Sequence, residues 1–553
     1  MSSSEDAGNE AAAPRRSWLS ELSGHLLVAG CVIGIAFLLL QLLTFGHGRD
    51  QGIYAMVARI IAAGKMPYRD AWDFKPPGVF LVYLIPRIFF GSSQAGIRIV
   101  EAVGLVGMVA AMMSLTGRWW GERRIGLLGG LVAVLAHVQL DFWHTAQPES
   151  FGGMLTIYAL AALGDLADRP EQMNKAAIRR LILVGFLFGF TGLLKPPLAG
   201  GGGVVALALG WRALKQTSNG EPRWKVALRP AAWMTVGGAI PFVLTAIWFI
   251  SRGAMGDLRY VLFVFTPYYT KLSWVGETLT GMVYWGFTEW LQTYCSVCTV
   301  GVMLAMGLDG EPRERFGARM VAGIIAVHLV GVTMQGKFFP YHYGATWPLT
   351  GLLAGLGLWR LWLRMASLSF ARFPAFAAFC AFITFGRSAT KDLPQRFQTR
   401  CEMRMKLFTT SPRDQVAIDK LASVADVNAV ANRAVAEQLR ARVPADRTVF
   451  VWGFEPVIYD LADRMPATRY LYDVPQRVAW AKERERAVLM DDLEKNRPAA
   501  IVVEHNDVFP MVTGDAIDSA DTLNDFAALR EMIESRYEYA GKIEDFEIFY
   551  ERP

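Results

Sequence analysis

Long apolar runs separated by short polar loops fill the first 386 residues, at 24–43, 79–90, 96–117, 125–140, 150–166, 181–194, 198–211, 230–250, 279–307, 320–334, 345–363 and 373–385. Several fall short of the roughly 17 residues that cross a bilayer unaided. With 79–90 taken as a re-entrant or interfacial piece, the pattern predicts about 11 membrane-spanning helices. After Gly386 the pattern becomes that of a soluble domain. Residues 428–442 alternate Ala, Val and Leu with Arg, Glu and Gln at helical spacing, 448–453 reads as a buried strand, and 456–464 as the helix after it. A charged helix at 476–495, a strand at 499–504 and a helix at 526–537 complete a small α/β domain. The chain therefore divides into a transmembrane part, 1–386, and a soluble part, 387–553. No internal repeat of fixed period is visible, which speaks against a repeat-built transporter.

Composition narrows the class. The chain has 553 residues, of which 53% are hydrophobic and 19% charged, and the charge sits in loops. Its excess of +6 does not point to nucleic acid, because Lys and Arg gather at the ends of apolar runs rather than along one polar face. They sort the loops instead. Arg15 and Arg16, 118–124, 169–180, 212–229, 313–319, and Arg360, Arg364 and Arg372 all fall on one side, which the positive-inside rule makes cytoplasmic. The opposite, outer side receives the Asp50 loop, 144–149, Lys195-Pro196-Pro197, 251–278, 335–343 and everything after Gly386. The five cysteines form no even framework, and Cys295 and Cys298, inside an apolar run, read as small hydrophobic residues. Residues 24–43 lack a small-residue cleavage site and are long enough to stay as a membrane helix rather than a signal peptide.

The unusual polar residues converge on that outer face. Asp50, in Gly48-Arg49-Asp50-Gln51-Gly52-Ile53-Tyr54, places a carboxylate just outside a helix with Tyr54 one turn later. It suits proton acceptance from an attacking hydroxyl, or else it is an ordinary N-cap for a helix over 51–63. Lys75 precedes two prolines that stiffen the backbone and hold its ammonium near the interface, where it can meet a phosphate or simply lipid headgroups. Lys195 repeats the arrangement before Pro196-Pro197. Glu149 follows Gln147-Pro148 at a helix start, with Asp141 and His144 nearby; capping explains it as well as chemistry does. The run 335–343 packs Lys337, His342 and four aromatic rings, Tyr341 among them, into one loop suited to stacking a sugar while its cations contact phosphate oxygens. Arg98 and Glu101 read as a structural pair on one helix, with Arg98 alternatively facing the phosphate. The Gly200–Gly203 run lacks the Gly-Lys-Ser/Thr of a phosphate loop and reads as close helix packing. Zinc motifs of the His-Glu-x-x-His type are absent.

In their order and spacing, Asp50-Gln51-Gly52-Ile53-Tyr54, Lys75-Pro76-Pro77, Gln147-Pro148-Glu149, Lys195-Pro196 and the 335–342 loop resemble the GT-C superfamily of membrane glycosyltransferases. The likeness is to the branch of protein O-mannosyltransferases and aminoarabinose transferases. It implies a polytopic helical membrane fold with an appended periplasmic domain, which Val451-Trp452-Gly453-Phe454-Glu455-Pro456 resembles. It also implies a polyprenyl-phosphate-linked sugar donor, an envelope glycan, lipid or protein acceptor, and transfer at the outer face of a bacterial cytoplasmic membrane. By the same resemblance Asp50 is the catalytic acid residue, Glu149 a second one, and Lys75 a contact to the lipid phosphate. Tyr54, Arg98, Lys195, Lys337, Tyr341 and His342 join the expected substrate contacts. Some relatives carry Glu just before the Lys-Pro-Pro lysine and use it for a metal; this chain has Phe74 there, so no cofactor is assigned and a divalent cation is left open. The rival readings are a flippase of lipid-linked sugars and an O-antigen-ligase-like transferase. The first would need a polar path through the midplane, and the second more outer-loop arginines for a diphosphate donor.

Overall fold

The computed structural model describes residues 18–141, 144–167, 170, 173–216, 222–293, 296–311, 314–385, 393–409, 415–423 and 427–553. The division at 386/387, Cys295, and the loop arginines 15, 16, 169 and 313 lie outside the described residues.

Eight helices among the described residues are long and apolar enough to cross a membrane: Glu21–Leu42, Gln94–Trp119, Pro148–Ala167, Lys175–Leu194, Pro196–Gln216, Arg223–Ser251, Glu314–Gln335 and the segment Pro340–Thr384. The pair Leu279–Thr293 and Ser296–Gly307, bent by 108°, makes a ninth if taken as one span. The expected number of about 11 also counted the 16-residue helix Arg123–Val138, and split the last segment in two. That segment is broken at Ser369, whose φ of 46° is not helical. Gly78–Phe90, with 13 residues, is too short to span.

Why the helices end where they do fixes the site. Helix Lys175–Leu194 stops because Pro196 and Pro197 cannot continue it, leaving Lys195 extended at φ −158° before the chain turns into Gly200–Gln216. Pro148 opens Pro148–Leu163 at its first turn, where a missing N–H costs nothing. Helix Arg49–Ala62 is capped by Gly48, whose N–H donates to Gln51 Oε1 at 3.0 Å. Asp50 is therefore not the N-cap; it lies in the first turn, where the helix dipole favours a carboxylate.

The C-terminal part is a four-stranded sheet with helices against it. Strands β1 (Val449–Trp452), β2 (Ala500–Glu504), β3 (Tyr537–Ile543) and β4 (Phe546–Glu551) lie in the order β1-β2-β4-β3, with β1 parallel to β2 and the remaining pairs antiparallel. Helix Ala429–Arg442 is capped by Asn428, whose side chain accepts from the Ala431 N–H. The charged helix expected over 476–495 is two pieces, Val474–Arg477 and Lys482–Lys495. The β3–β4 hairpin had no counterpart in the sequence reading, because β3 is mostly exposed with polar and apolar residues mixed, and the apolar run of β4, Ile548-Phe549-Tyr550, is too short to stand out. Buried apolar side chains form one cluster running from Leu27 to Ile548, so both parts share a core.

Candidate active site

The Lys-Pro-Pro turns meet. Gly78, directly after Lys75-Pro76-Pro77, presses on the end of the helix that precedes Lys195: a Cβ there would sit 2.6 Å from the Leu193 carbonyl. Between the turns lies a cavity of about 600 Å³. Lys75, Glu149, Lys195, Lys337, Tyr341 and His342 line its polar side, and Phe242, Leu258, Leu262 and Phe263 are on its apolar side. Lys75 and His342, 267 positions apart in sequence, thus share one wall, because four loops end at the same place.

Charge is unevenly matched there. Glu149 is ion-paired with Lys195 through Oε1, while its Oε2 is buried with no hydrogen-bond partner among the described residues. The same holds for His342 Nδ1. Lys337 stands 4.0 Å over the Tyr269 ring and donates to the Met511 carbonyl. Burial and the nearby Lys75 push its pKa down to about 7. Lys75 behaves in the opposite way: burial alone would lower it, but Asp50, Asp73 and Glu149 together hold it above the ordinary lysine range. Three amines against one lining carboxylate make this a site for an anion.

Asp50 is not part of the cavity lining; it sits just beyond Lys75. Its Oδ2 is 3.9 Å from the Lys75 ammonium and accepts from Gln147 Nε2 at 3.2 Å, and it is hydrogen-bonded to the Tyr341 side chain. With its side chain 17% exposed it can still reach a second molecule.

Two expected contacts fall elsewhere. Tyr54 is fully buried and donates to Gln147 Oε1 at 3.2 Å, so it supports the glutamine that holds Asp50 and does not reach the cavity. Arg98 is fully buried too, bonded to Glu101 Oε2 at 3.0 Å, Thr145 Oγ1 at 2.7 Å and the Gly46 carbonyl at 2.6 Å. It ties the loops before Asp50 and Glu149 together and is not among the residues that line this cavity. A charge inside an apolar helix is tolerated there because Glu101 pairs it and Thr145 and the Gly46 carbonyl accept from it.

The structure adds Asp73, which the sequence reading passed over. It is buried two residues before Lys75, and burial first, with Asp50 second among the raising influences, lifts its pKa to about 6 although Lys75 and Tyr472 pull it down. Nothing in the sequence separates it from Asp70, because residues 74 and 75 form a bend, and Phe74 and Lys75 both line the cavity. No cluster of three or more His, Cys, Asp or Glu side chains that could hold a metal ion occurs among the described residues.

No family model and no curated protein matches the chain. Among solved structures, ArnT from Cupriavidus metallidurans in the apo state is similar with a TM-score of 0.54 at 14% identity, over 96% of this chain and 98% of that one. The structure of that ArnT bound to undecaprenyl phosphate is similar with a TM-score of 0.52 at 15% identity, over 95% and 97%. What is shared at such identity is architecture: the fold of this chain is that of ArnT.

Proposed function

We propose that this protein is an inverting glycosyltransferase that moves a sugar from a polyprenyl-phosphate donor to an acceptor hydroxyl at the outer face of a bacterial cytoplasmic membrane. The observation that carries the reading is the convergence of Lys75, Lys195 and Lys337 on one half-apolar cavity with Asp50 beyond Lys75. An anionic headgroup on a prenyl tail matches both halves. The phosphate meets the amines, and the tail leaves past Phe242, Leu258, Leu262 and Phe263.

The chemistry follows from that placement. The acceptor oxygen attacks the anomeric carbon from the side away from the phosphate while Asp50 takes its proton. The bond from that carbon to the phosphate oxygen breaks, and its electron pair leaves with the phosphate, which the lysines stabilise as charge builds. Polyprenyl phosphate is a stable anion and needs no acid to depart. The unpaired oxygen of Glu149 and Nδ1 of His342 are available to sugar hydroxyls. Bound undecaprenyl phosphate in ArnT, whose fold this chain shares, supports the donor class.

The sidedness belongs to the same proposal. Loops carrying Arg118, Arg124, Arg360 and Arg372 gather at one end, where Arg118 donates to the Ala161 carbonyl at 3.0 Å, Arg124 lies 4.6 Å over Trp359 and Arg372 lies 4.0 Å over Trp362. That end is cytoplasmic by the positive-inside rule. The site and the sheet occupy the other end, so we assign 1–386 as the catalytic membrane domain and 387–553 as a periplasmic one.

The test is transfer from radiolabelled polyprenyl-phosphate sugars to a bacterial envelope extract by purified protein, with Asp50→Asn alongside. Transfer by the wild type and at least a thousandfold less by the variant, at unchanged binding of polyprenyl phosphate, is the expected outcome, on the order of losing a positioned base. Equal turnover by both proteins removes the catalytic assignment, and binding without transfer by either moves the reading to a carrier of lipid-linked sugars.

A further inference from the structure

Three segments of the site are held by residues of the C-terminal part. Arg49, next to Asp50, pairs with Glu455 Oε1 at 2.8 Å and donates to the Phe454 carbonyl at 3.1 Å. The Trp72 N–H donates to the Arg469 carbonyl at 2.7 Å, and its ring meets that of Tyr472 edge-on at 5.8 Å. Lys337 donates to the Met511 carbonyl.

The contact that reaches furthest into the chemistry is a fourth. The Tyr472 hydroxyl donates to Asp73 Oδ1 at 2.8 Å, with both side chains buried. Asp73 Oδ2 has no hydrogen-bond partner among the described residues. Besides the Phe74 backbone N–H, the Tyr472 hydroxyl is the donor that orients this buried carboxylate, and removing a donor from such a group costs more than the bond itself is worth. Lys75 is the cation acting on Asp73, Asp50 the nearby anion, and Tyr54, Tyr68 and Tyr269 the other titratable neighbours beside Tyr472.

We propose that Tyr472 is a positioning residue for the transfer site: its hydroxyl fixes the Asp73 carboxylate two residues from Lys75, so that the C-terminal part sets the orientation of an anion that acts on the lysine. That Lys75 meets a donor phosphate rests on the function proposed above; that Tyr472 controls Lys75 does not. The hydroxyl also lowers the Asp73 pKa, so its loss lifts a group already at about 6 toward neutrality at pH 7. Lys75 then loses one of the anions that keep it protonated.

The reactivity of Lys75 reads this directly. Full-length protein in detergent is labelled with acetic anhydride at pH 7.5, and acetylation of Lys75 is quantified by mass spectrometry relative to exposed Lys215. In Tyr472→Phe, which keeps the ring, Lys75 should label about threefold faster than in wild type, the effect of half a pKa unit. Asp73→Asn should do at least as much, and the double variant should match Asp73→Asn, because the hydroxyl acts only through the carboxylate. Wild-type reactivity in Tyr472→Phe, or effects that multiply in the double variant, would overturn the proposal. Adding undecaprenyl phosphate to the wild type should protect Lys75. Absence of protection counts against the donor reading and leaves the four-protein comparison to decide on Tyr472.

Discussion

At the scale of single residues, the site is built on amines whose charge the protein adjusts. Lys337 is the most responsive, because burial and Lys75 hold it to about 7 in the free protein and a bound phosphate would raise it. The direction follows: below about pH 7 the amine is charged and attracts the phosphate, and above it the free protein must first take up a proton. Affinity for polyprenyl phosphate should therefore fall about tenfold between pH 6 and pH 8. Lys337→Arg, which stays charged throughout, should flatten that fall in a titration, and an equally steep fall in the variant would place the titrating group elsewhere. Asp50, Lys75 and Lys195 stand out in the sequence because each interrupts an apolar pattern at a loop. Asp73 does not stand out. It is one acid in a loop that also holds Asp70, and only its burial and its neighbours Tyr472 and Lys75 separate the two.

At the scale of elements, the distance between the two Lys-Pro-Pro turns depends on Gly78. Its missing side chain lets helix Gly78–Phe90 start against the Leu193 carbonyl, and a methyl group there must push the two turns apart. Gly78→Ala should cost about 1–3 kcal/mol, as overpacking does, visible as a lower Tm in detergent. It should also weaken binding of polyprenyl phosphate by separating Lys75 from Lys195. An unchanged Tm would mean that the helix ends yield freely. Helix existence and approximate ends were legible from apolar runs, prolines and caps, as at Asn428 and Pro148. The contact of two helix ends far apart in the chain was not, since nothing in either segment names its partner.

At the scale of the whole molecule, the membrane part and the C-terminal part pack directly on each other at the site. Helix Arg49–Ala62 packs on helix Val457–Ala462 closely enough that a Cβ at Gly52 would lie 3.0 Å from the Val457 nitrogen, and Arg49 is ion-paired with Glu455 in the same interface. Glu455→Ala removes the carboxylate from a buried arginine and should destabilise by about 3–5 kcal/mol. A lower Tm accompanied by reduced transfer is the expected result. A lower Tm with full transfer in the folded fraction would show that the interface is structural only. The sequence alone determined the membrane class, the gathering of the motifs on one side of the membrane and the existence of an α/β appendage, because burial in lipid and alternation in a sheet leave periodic marks on the chain. The tertiary structure alone decided that Asp50 stands outside the cavity, that Arg98 and Tyr54 stand behind it, and that Tyr472 reaches Asp73. Those are relations between residues up to 399 positions apart, fixed by how loops meet in space, and no local pattern encodes such a meeting.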